Sequence, residues 1–287
     1  MSSTVLSARV PRGRLGAETF DPTEDTPPMG DHADRLSVLI PVYNEEKTVA
    51  EILTRVLALG PLVKEIVVVD DGSKDNTAEV VRARAAGEPK IQFHQLPKNQ
   101  GKTAAIRKAL ELATGEIIIV QDADLEYDPS EIPEVIAPIL SGVADVVYGS
   151  RFLVRKAARV LYFYHYLANT GLTFLSNMLT NRNMSDIETC YKAFRAEVIK
   201  PLVLTSKGFG MEVEITAMVC KTHARTYEVP ISYYGRAYEE GKKIGMMDGV
   251  AALWYIGYYN LIKPWSRSAR LYVRTVNESL AKVNAAK

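Results

Sequence analysis

The sequence contains no run of about 18 or more uninterrupted apolar residues, the length that a transmembrane helix needs. Its first 35 residues also lack the unbroken apolar segment of a signal peptide. Lysine and arginine (35) nearly equal aspartate and glutamate (34), so the basic surplus of most nucleic-acid-binding proteins is missing. These absences predict a chain without a membrane-spanning helix and without a nucleic-acid partner.

Cysteine and histidine are scarce. Cys190 and Cys220 form no CxxC motif, so the sequence predicts a reducing compartment and no disulfide or zinc framework. The four histidines are scattered and offer no histidine-based metal cluster. No GxGxxG motif follows a predicted strand, which disfavours NAD and FAD. Gly101-Lys102-Thr103 resembles part of a P-loop, but Leu96 stands where that motif requires glycine.

Five short apolar segments alternate with helical patterns from Leu36 onward. Buried strands are expected at residues 36–42, 65–71, 91–97, 116–122 and 144–150. Continuous apolar strands separated by helices are typical of a mainly parallel sheet that helices cover on both faces. The sequence therefore predicts an α/β fold. Residues 1–35, rich in Ser, Thr, Pro, Gly and charge, are expected to be a disordered leader.

The pattern changes after Ser150. Helices are predicted over residues 157–179, 211–222 and 246–265 and from Ser266 onward, and a strand over 225–234. Segments 157–179 and LWYIGYYNL (253–261) are bulky and apolar, and Trp and Tyr suit a bilayer surface. The alternative is that both segments pack into the core or against a second copy of the chain.

Four carboxylates lie close together in IIIVQDADLEYDP (117–129), directly after a predicted strand. For any single aspartate, turn or helix-cap chemistry is the simpler interpretation. Asp122 and Asp124, however, would repel each other at a sheet edge unless a cation neutralised them. Oxygen ligands favour Mg²⁺ or Mn²⁺, which bind few carboxylates and leave room for substrate phosphates. The pair therefore predicts a divalent metal that carries a diphosphate.

A second acidic stretch, VVVDDGSKDNT (67–77), ends another strand. Ligands of parallel sheets bind beyond the carboxyl ends of the strands, which would place Asn44, Asp70, Asp71, Asp122 and Asp124 along one edge. Asp70 could accept hydrogen bonds from a base or a ribose there, whereas Asp75 has a helix cap as its alternative role. Arg151 follows the fifth strand at that edge. Lys242 and Lys243 lie in a glycine-flanked loop that could close over a substrate, or could simply be solvated charge.

Several motifs occur in an order that resembles family 2 glycosyltransferases of the GT-A fold. They are PVYNEE, VVVDDGSKDNT, NQGKTAAIRKAL, QDADLEYDP, YGSRF, SDIETCYKAFR, GFGMEVEI and EVPISYYGR. The chain is most similar to the dolichyl- and polyprenyl-phosphate mannosyl- or glucosyltransferases. The resemblance implies a GT-A catalytic domain over residues 36–245 and leaves 246–287 as a C-terminal helical segment, which would lie at a membrane surface or form oligomers.

The resemblance also implies three sets of site residues and a short catalytic list. The nucleotide-sugar would be bound by Pro41, Tyr43, Glu45, Asp70, Asp75, Lys102, Asp122, Ala123 and Asp124. The metal, Mg²⁺ or Mn²⁺, would be held by Asp122, Asp124 and Glu126. The acceptor and its phosphate would meet Arg151, Thr189, Glu212, Arg236 and Lys243. The catalytic residues would be Asp186, Asp124 and Arg151.

Two departures from the family pattern bear on these assignments. Glu126 stands where related enzymes often carry glutamine, and Cys190 where the branch frequently has glycine. Many relatives also carry C-terminal transmembrane helices, which this sequence does not predict.

The implied reaction is an inverting transfer of a hexose from a nucleoside-diphosphate sugar of the GDP-mannose or UDP-glucose type. A polyprenyl-phosphate acceptor is already ionised and needs little or no base, and the enzyme would then work in the cytoplasm at the inner face of the membrane, as a peripheral protein. A hydroxyl acceptor on a saccharide, protein or metabolite would need a base, for which Asp186 is the first candidate. A third hypothesis is a non-catalytic nucleotide-sugar-binding subunit, against which the Asp122/Asp124 pair argues. A homo-oligomer remains open.

Overall fold

A computed structural model describes residues 33–153, 160, 162–208, 210–235 and 246–285. The strands are β1 (Leu36–Val42), β2 (Val63–Asp70), β3 (Ile91–Gln95), β4 (Ile117–Val120), β5 (Val146–Ser150), β6 (Lys192–Arg195) and β7 (Thr226–Pro230). The helices are α1 (Val49–Leu57), α2 (Thr77–Gly87), α3 (Lys102–Leu112), α4 (Ile132–Leu140), α5 (Phe163–Thr180), α6 (Ala196–Ile199), α7 (Gly210–Val219), α8 (Met246–Gly257) and α9 (Arg267–Ala285).

The seven strands form one sheet in the order β3-β2-β1-β4-β6-β5-β7. The neighbouring pairs β1–β2, β1–β4, β2–β3 and β5–β7 are parallel. Among the strands of the described residues, β6 alone runs the other way, antiparallel to both β4 and β5. Two hydrophobic clusters of buried side chains cover the sheet, one including α3 and α7 and the other α1 and α4. The predicted parallel α/β architecture is confirmed.

The reversed direction of β6 decides what meets at the functional edge of the sheet. Because β4 and β5 are both antiparallel to β6, they run in the same direction, and their carboxyl ends share an edge with those of β1 and β2. The amino end of β6 reaches that same edge. The segment before Lys192 therefore lies beside the loops that follow β4 and β5.

The C-terminal helices pack onto the sheet domain through one face each. A π-helical turn (Tyr258–Ile262) and a 3-10 turn (Lys263–Trp265) join α8 to α9. Side chains from both helices and the turn enter the same buried cluster as α3 and α7, namely Ile256, Tyr259, Tyr272, Val276 and Leu280. Gly210 allows the close approach of α7 and α8, since a Cβ atom there would lie 2.5 Å from the Tyr255 ring. Among the described residues, no helix combines the length and the apolar character that crossing a membrane requires.

Candidate active site

The loops that follow β1 and β2 are tied together at the carboxyl edge of the sheet. Asn44 adopts a left-handed conformation (φ 54°). Its backbone N–H donates to Ser73 Oγ at 2.9 Å, and its Oδ1 accepts from the backbone N–H of Lys74 at 2.9 Å. Glu45 adds a second link, because its backbone N–H donates to Thr77 Oγ1 at 2.8 Å. These contacts hold the two loops together, and beside them the predicted residue Tyr43 is part-buried and Pro41 is buried.

The acidic side chains after β2 are held by hydrogen bonds within the chain. Asp70 is fully buried and accepts from Ser73 N at 3.0 Å and from Gln95 Nε2 at 2.8 Å. Asp75 accepts from Thr77 N at 3.0 Å and from Thr77 Oγ1 at 2.6 Å. Burial alone would raise the pKa of Asp75, but the hydrogen bonds from Thr77 outweigh it and lower the pKa. The turn role of Asp70 is therefore present, but the N-cap residue of α2 is Asn76 and not Asp75, so the predicted cap role of Asp75 is wrong. Nucleotide binding by Asp70 and Asp75 stays a prediction.

Asp71 fills the space just before α3. Its two carboxylate oxygens accept from the backbone N–H groups of Gln100 (2.8 Å) and Gly101 (2.7 Å). Gly101 has a φ of 91°, a conformation that favours glycine. An anionic side chain of the protein thus occupies the position at which a P-loop would hold a phosphate.

Lys102 and Asp122 form an ion pair at the centre of the edge. The Lys102 Nζ atom lies 2.6 Å from Asp122 Oδ1, 2.8 Å from Oδ2 and 3.2 Å from Cys190 Sγ. Burial would lower the pKa of Lys102, but Asp122 and the neighbouring acidic groups raise it well above its ordinary value. Burial would likewise raise the pKa of Asp122, and Lys102 reverses that effect and lowers it. The Asp122 carboxylate is therefore ionised, with a cation beside it.

The loop after Asp122 carries the other two predicted metal ligands. Asp124 Oδ1 accepts from the backbone N–H of Glu126 at 3.1 Å, and Leu125 between them has a φ of 62°. Glu126 Oε2 accepts from the Tyr233 hydroxyl at 2.9 Å. Within the described residues, no three His, Cys, Asp or Glu side chains are gathered closely enough to hold a metal ion.

The residues present nevertheless fit a divalent ion of the predicted kind. Mg²⁺ and Mn²⁺ bind through one or two carboxylates together with substrate phosphates, and do not require a three-ligand protein site. Asp122 and Asp124 supply hard oxygen donors of that type at part-buried positions. Each of the three carboxylates also accepts a hydrogen bond within the chain, Asp122 from Lys102, Asp124 from Glu126 N and Glu126 from Tyr233.

Arg151 and Asp186 form a bidentate pair near the loop that follows Asp122, since Tyr233 contacts both Arg151 and Glu126. Arg151 Nε donates to Asp186 Oδ2 at 2.7 Å, and Nη2 donates to Oδ1 at 2.8 Å. Asp186 is fully buried. The guanidinium also lies 5.2 Å from the centre of the Tyr233 ring. Burial would lower the pKa of Arg151, but the acidic groups around it, Asp186 among them, raise it well above its ordinary value. Both oxygens of the candidate base are thus already engaged.

The predicted acceptor residues Thr189 and Glu212 meet a lysine that sequence reasoning missed. The Lys192 ammonium pairs with the Glu212 carboxylate and donates to the Thr189 carbonyl, and all three residues are buried. Lys192 follows SDIETCY in the sequence, yet its burial depends on β6 lying between β4 and β5, which no apolar pattern signals. Tyr233 was missed in the same way. Arg236, Lys242 and Lys243 lie outside the described residues, so their predicted roles stay predictions.

Large apolar side chains are exposed on α5, on α8 and on the turns after α8. We call this set of side chains the aromatic face. Its members are Tyr162, Phe163, Tyr164, Leu167, Phe174, Met178, Leu253, Trp254, Leu261, Ile262 and Trp265. The exposed fraction reaches 67% for Phe163 and Trp254 and 79% for Trp265. Large exposed apolar patches are typical of contacts with a membrane or another protein, and the contact of these helices with either one stays a prediction.

Solved structures share the fold at low sequence identity. Glucosyl-3-phosphoglycerate synthase from Mycobacterium tuberculosis, solved with Mn²⁺, uridine diphosphate and phosphoglyceric acid, superposes with a TM-score of 0.63. The superposition covers 85% of this chain and 84% of that chain at 19% identity. The seven-stranded, mostly parallel sheet is therefore GT-A-like, as the motifs predicted.

Two relatives are closer in sequence. The chain is 31% identical over 214 residues to the dolichol-phosphate mannosyltransferase of Pyrococcus furiosus, across 74% of this chain and 60% of the relative. It is 31% identical over 212 residues to the undecaprenyl-phosphate 4-deoxy-4-formamido-L-arabinose transferase of Edwardsiella ictaluri, across 72% of this chain and 62% of the relative. The match thus spans about three fifths of the length of each relative.

The family model described as Glycosyl transferase family 2 matches residues 37–203, which run from β1 to just beyond α6 and hold the Lys102–Asp122 and Arg151–Asp186 pairs. On that match, and on the two relatives, this chain belongs to glycosyltransferase family 2.

Proposed function

We propose that this glycosyltransferase moves a hexose, with inversion, from a nucleoside-diphosphate sugar to the phosphate of a polyprenyl phosphate. The observation that carries the proposal is the Arg151–Asp186 pair. Asp186 is the first candidate base, yet it is fully buried and both of its oxygens accept from Arg151. A phosphate acceptor is already ionised near neutral pH and needs no proton removed, so it suits a site whose candidate base is engaged.

The relatives support the acceptor class. Two proteins that are 31% identical to this chain are named for transfer involving dolichol phosphate and undecaprenyl phosphate. The aromatic face supports the same acceptor, because Trp and Tyr side chains sit favourably at a membrane surface, where a polyprenyl chain resides. We propose that this face lies against the membrane as a peripheral contact.

The donor would lie along the edge formed by the carboxyl ends of β1, β2 and β4. In this proposal Tyr43, Glu45, Asp70 and Asp75 orient the nucleoside, and Lys102 approaches the diphosphate. A divalent metal, Mg²⁺ or Mn²⁺, held by Asp122 and Asp124, would stabilise the charge that develops on the leaving diphosphate. Lys102 would then move partly from Asp122 to the phosphates, and the metal would balance the charge of Asp122.

The acceptor would approach from the side of Arg151. The Arg151 guanidinium keeps a fixed direction, because Asp186 binds two of its nitrogens and the Tyr233 ring lies against it. Attack by the acceptor phosphate on the face opposite the leaving diphosphate inverts the anomeric carbon. No residue of the chain has to remove a proton in this reaction.

A donor panel tests the proposal. The full-length protein is incubated with Mn²⁺ or Mg²⁺, a polyprenyl phosphate and labelled UDP- and GDP-sugars, and label is partitioned between organic and aqueous phases. Label in the organic phase with one donor supports the proposal and identifies the sugar. Nucleotide release with label only in the aqueous phase would instead favour a hydroxyl acceptor or hydrolysis.

A further inference from the structure

Five charged side chains, here called the acceptor-side cluster, meet where β5 ends and β6 begins. They are Arg151, Asp186, Glu188, Lys192 and Glu212. Two ion pairs account for four of them, Arg151 with Asp186 and Lys192 with Glu212. Glu188 is the fifth, so the described members of this cluster are three carboxyl groups and two cations.

Glu188 has no counterpart of its own in this cluster. Its Oε1 atom is shielded from solvent and has no hydrogen-bond partner among the described residues. The residue as a whole is part-buried. A shielded carboxylate oxygen without a donor is unfavourable, whereas a protonated carboxyl group can donate to a bound anion.

The surroundings of Glu188 set its charge near neutral pH. Burial raises the pKa of Glu188 to about 7. Two cations oppose this increase in the pKa, Lys192 from β6 and Arg151 after β5. Two carboxylates add to it, Glu212 from α7 and Asp186, which lies two residues before Glu188. With Glu188 protonated the cluster has no net charge, and with Glu188 ionised it has a charge of −1, which would repel an incoming phosphate.

We propose that Glu188 is an acceptor-binding residue that works in its protonated form, donating a hydrogen bond to the phosphate of the acceptor while keeping the cluster neutral. This inference rests on the proposed function, because it requires an anionic acceptor on the Arg151 side. It also assigns Glu188 a role different from that of a general base, which would have to be ionised to act.

Proton linkage gives the direction of the pH effect. A bound phosphate favours the neutral form of Glu188 and so raises its pKa further. The acceptor then binds most tightly below about pH 7 and loses affinity as the pH rises through that value. If the bound phosphate raises the pKa by about one unit, the KM for polyprenyl phosphate rises roughly tenfold across that range.

The test compares the wild-type protein with Glu188→Gln and Glu188→Ala between about pH 5.5 and 8.5, measuring kcat and the KM for polyprenyl phosphate separately. Glu134→Gln is the matched control, since Glu134 is exposed on α4 away from the cluster. We expect Glu188→Gln, a permanently neutral donor, to keep kcat and to lose the wild-type rise in KM. Glu188→Ala should bind the acceptor weakly at every pH. The ionisation of the acceptor itself affects all variants alike and cancels in the comparison.

Two outcomes would overturn the inference. Glu188→Gln could show the same pH dependence of KM as the wild type, in which case Glu188 does not contact the acceptor. Alternatively, it could lose kcat at every pH with KM unchanged, which would make Glu188 a base. Both outcomes presuppose transfer to polyprenyl phosphate by the wild type. Absence of that transfer would overturn the proposed function, and the Glu188 inference with it, so the two failures can be told apart.

Discussion

At the scale of single residues, the carboxylates that follow β2 and β4 differ in their hydrogen-bond partners. Asp71 holds the chain before α3, and Asp128 accepts from Ser130 N at 3.0 Å and caps a 3-10 turn. Asp122 instead forms an ion pair with the Lys102 side chain, and Asp124 lies in the part-buried loop that follows. The acidic stretch after β4 thus combines structural and candidate ligand residues within seven positions of the sequence.

Asp124 and Asp128 provide a matched pair for testing the metal proposal. Asp124→Asn is expected to lower the transfer rate by roughly 100-fold or more, because a neutral amide binds a divalent cation and its diphosphate poorly. Asp128→Asn, four positions away, should change the rate only a few-fold, since an amide oxygen can still accept from Ser130 N. Initial rates at saturating Mn²⁺, with Mn²⁺ binding measured in parallel, give the comparison. Equal activity of Asp124→Asn and the wild type would contradict the metal-centred account.

At the scale of secondary-structure elements, Asp145 joins three strands on the side of the sheet opposite to the site. It precedes β5 and is almost fully buried. Its carboxylate accepts from Arg225 N and Nε, both at 2.9 Å, just before β7, and lies 3.2 Å from Arg195 Nε at the end of β6. The arrangement holds the antiparallel strand β6 and the edge strand β7 against β5.

Replacing Asp145 should destabilise this half of the sheet. Burial alone would raise the pKa of Asp145, but the bonds from Arg225 outweigh it and lower the pKa. A carboxyl whose folded-state pKa is depressed contributes stability above its unfolded pKa of about 4 and loses it as the pH falls through the folded pKa. Asp145→Asn is therefore expected to lower the free energy of unfolding at pH 7 by about 2 kcal/mol, a value reduced because Arg225 is partly exposed.

Urea unfolding at several pH values measures that change. The deficit of Asp145→Asn relative to the wild type should shrink as the pH falls below the ordinary aspartate pKa of about 4 and towards the depressed folded-state pKa, where the wild-type carboxylate also becomes protonated. Glu116→Gln is a suitable control, because its pair with Arg35 is largely exposed and should contribute little. A deficit that stays constant with pH would show that packing, and not the charge of Asp145, stabilises the strands.

The sequence correctly predicted those strands and helices that have a short-range pattern of apolar residues. The apolar runs predicted β1 to β5, the pattern at 225–234 predicted β7, and helical spacing predicted α7 and α9 within a few residues. It missed β6, because KAFR is four residues long and mixes charged with apolar side chains. Only the pairing of Lys192–Arg195 with β4 and β5 makes this segment a strand. Lys192, Glu188 and Tyr233 escaped notice for the same reason, since contacts between distant segments create their environments.

Within the site, the motifs placed Asp122, Asp124 and Arg151 at the correct edge of the sheet but did not reveal their partners. The pairing of Lys102 with Asp122 joins residues 20 positions apart, and that of Arg151 with Asp186 joins residues 35 positions apart. Such pairs depend on strand order, which short-range patterns do not encode. The predicted helix over residues 157–179 begins at Phe163 in the structure and ends at Thr180.

At the scale of the whole molecule, the C-terminal helices contribute side chains both to the buried core and to the exposed aromatic face. One side of α8 and α9 belongs to the buried core, and the other side of α8 joins α5 in exposing aromatic rings. Packing of the inner side leaves the outer side available to a membrane or to a second copy of the chain. The predicted packing into the core is thus present on the inner sides of α8 and α9, while contact of the exposed side with a membrane or with a second copy of the chain stays a prediction.

Vesicle flotation distinguishes a membrane from a second copy. The double variant Phe163→Ser and Trp254→Ser is expected to bind phospholipid vesicles at least roughly tenfold more weakly than the wild type, because two large apolar side chains no longer enter the interface. Val203→Ser, which removes an exposed apolar side chain outside this face, should bind like the wild type. The wild type could instead fail to bind vesicles and form a dimer that the double variant does not form. That result would show that the aromatic face is a homo-oligomer interface.

The central claim is that the acceptor is a phosphate and that the chain supplies no base. The most direct measurement compares polyprenyl phosphate with the matching polyprenol, using the same donor, metal and full-length protein. We predict a labelled lipid product from the phosphate and none from the alcohol, since Asp186 remains bound to Arg151 and cannot take the proton of a hydroxyl. Efficient transfer to the polyprenol, lost in Asp186→Asn, would contradict the account and make Asp186 a catalytic base.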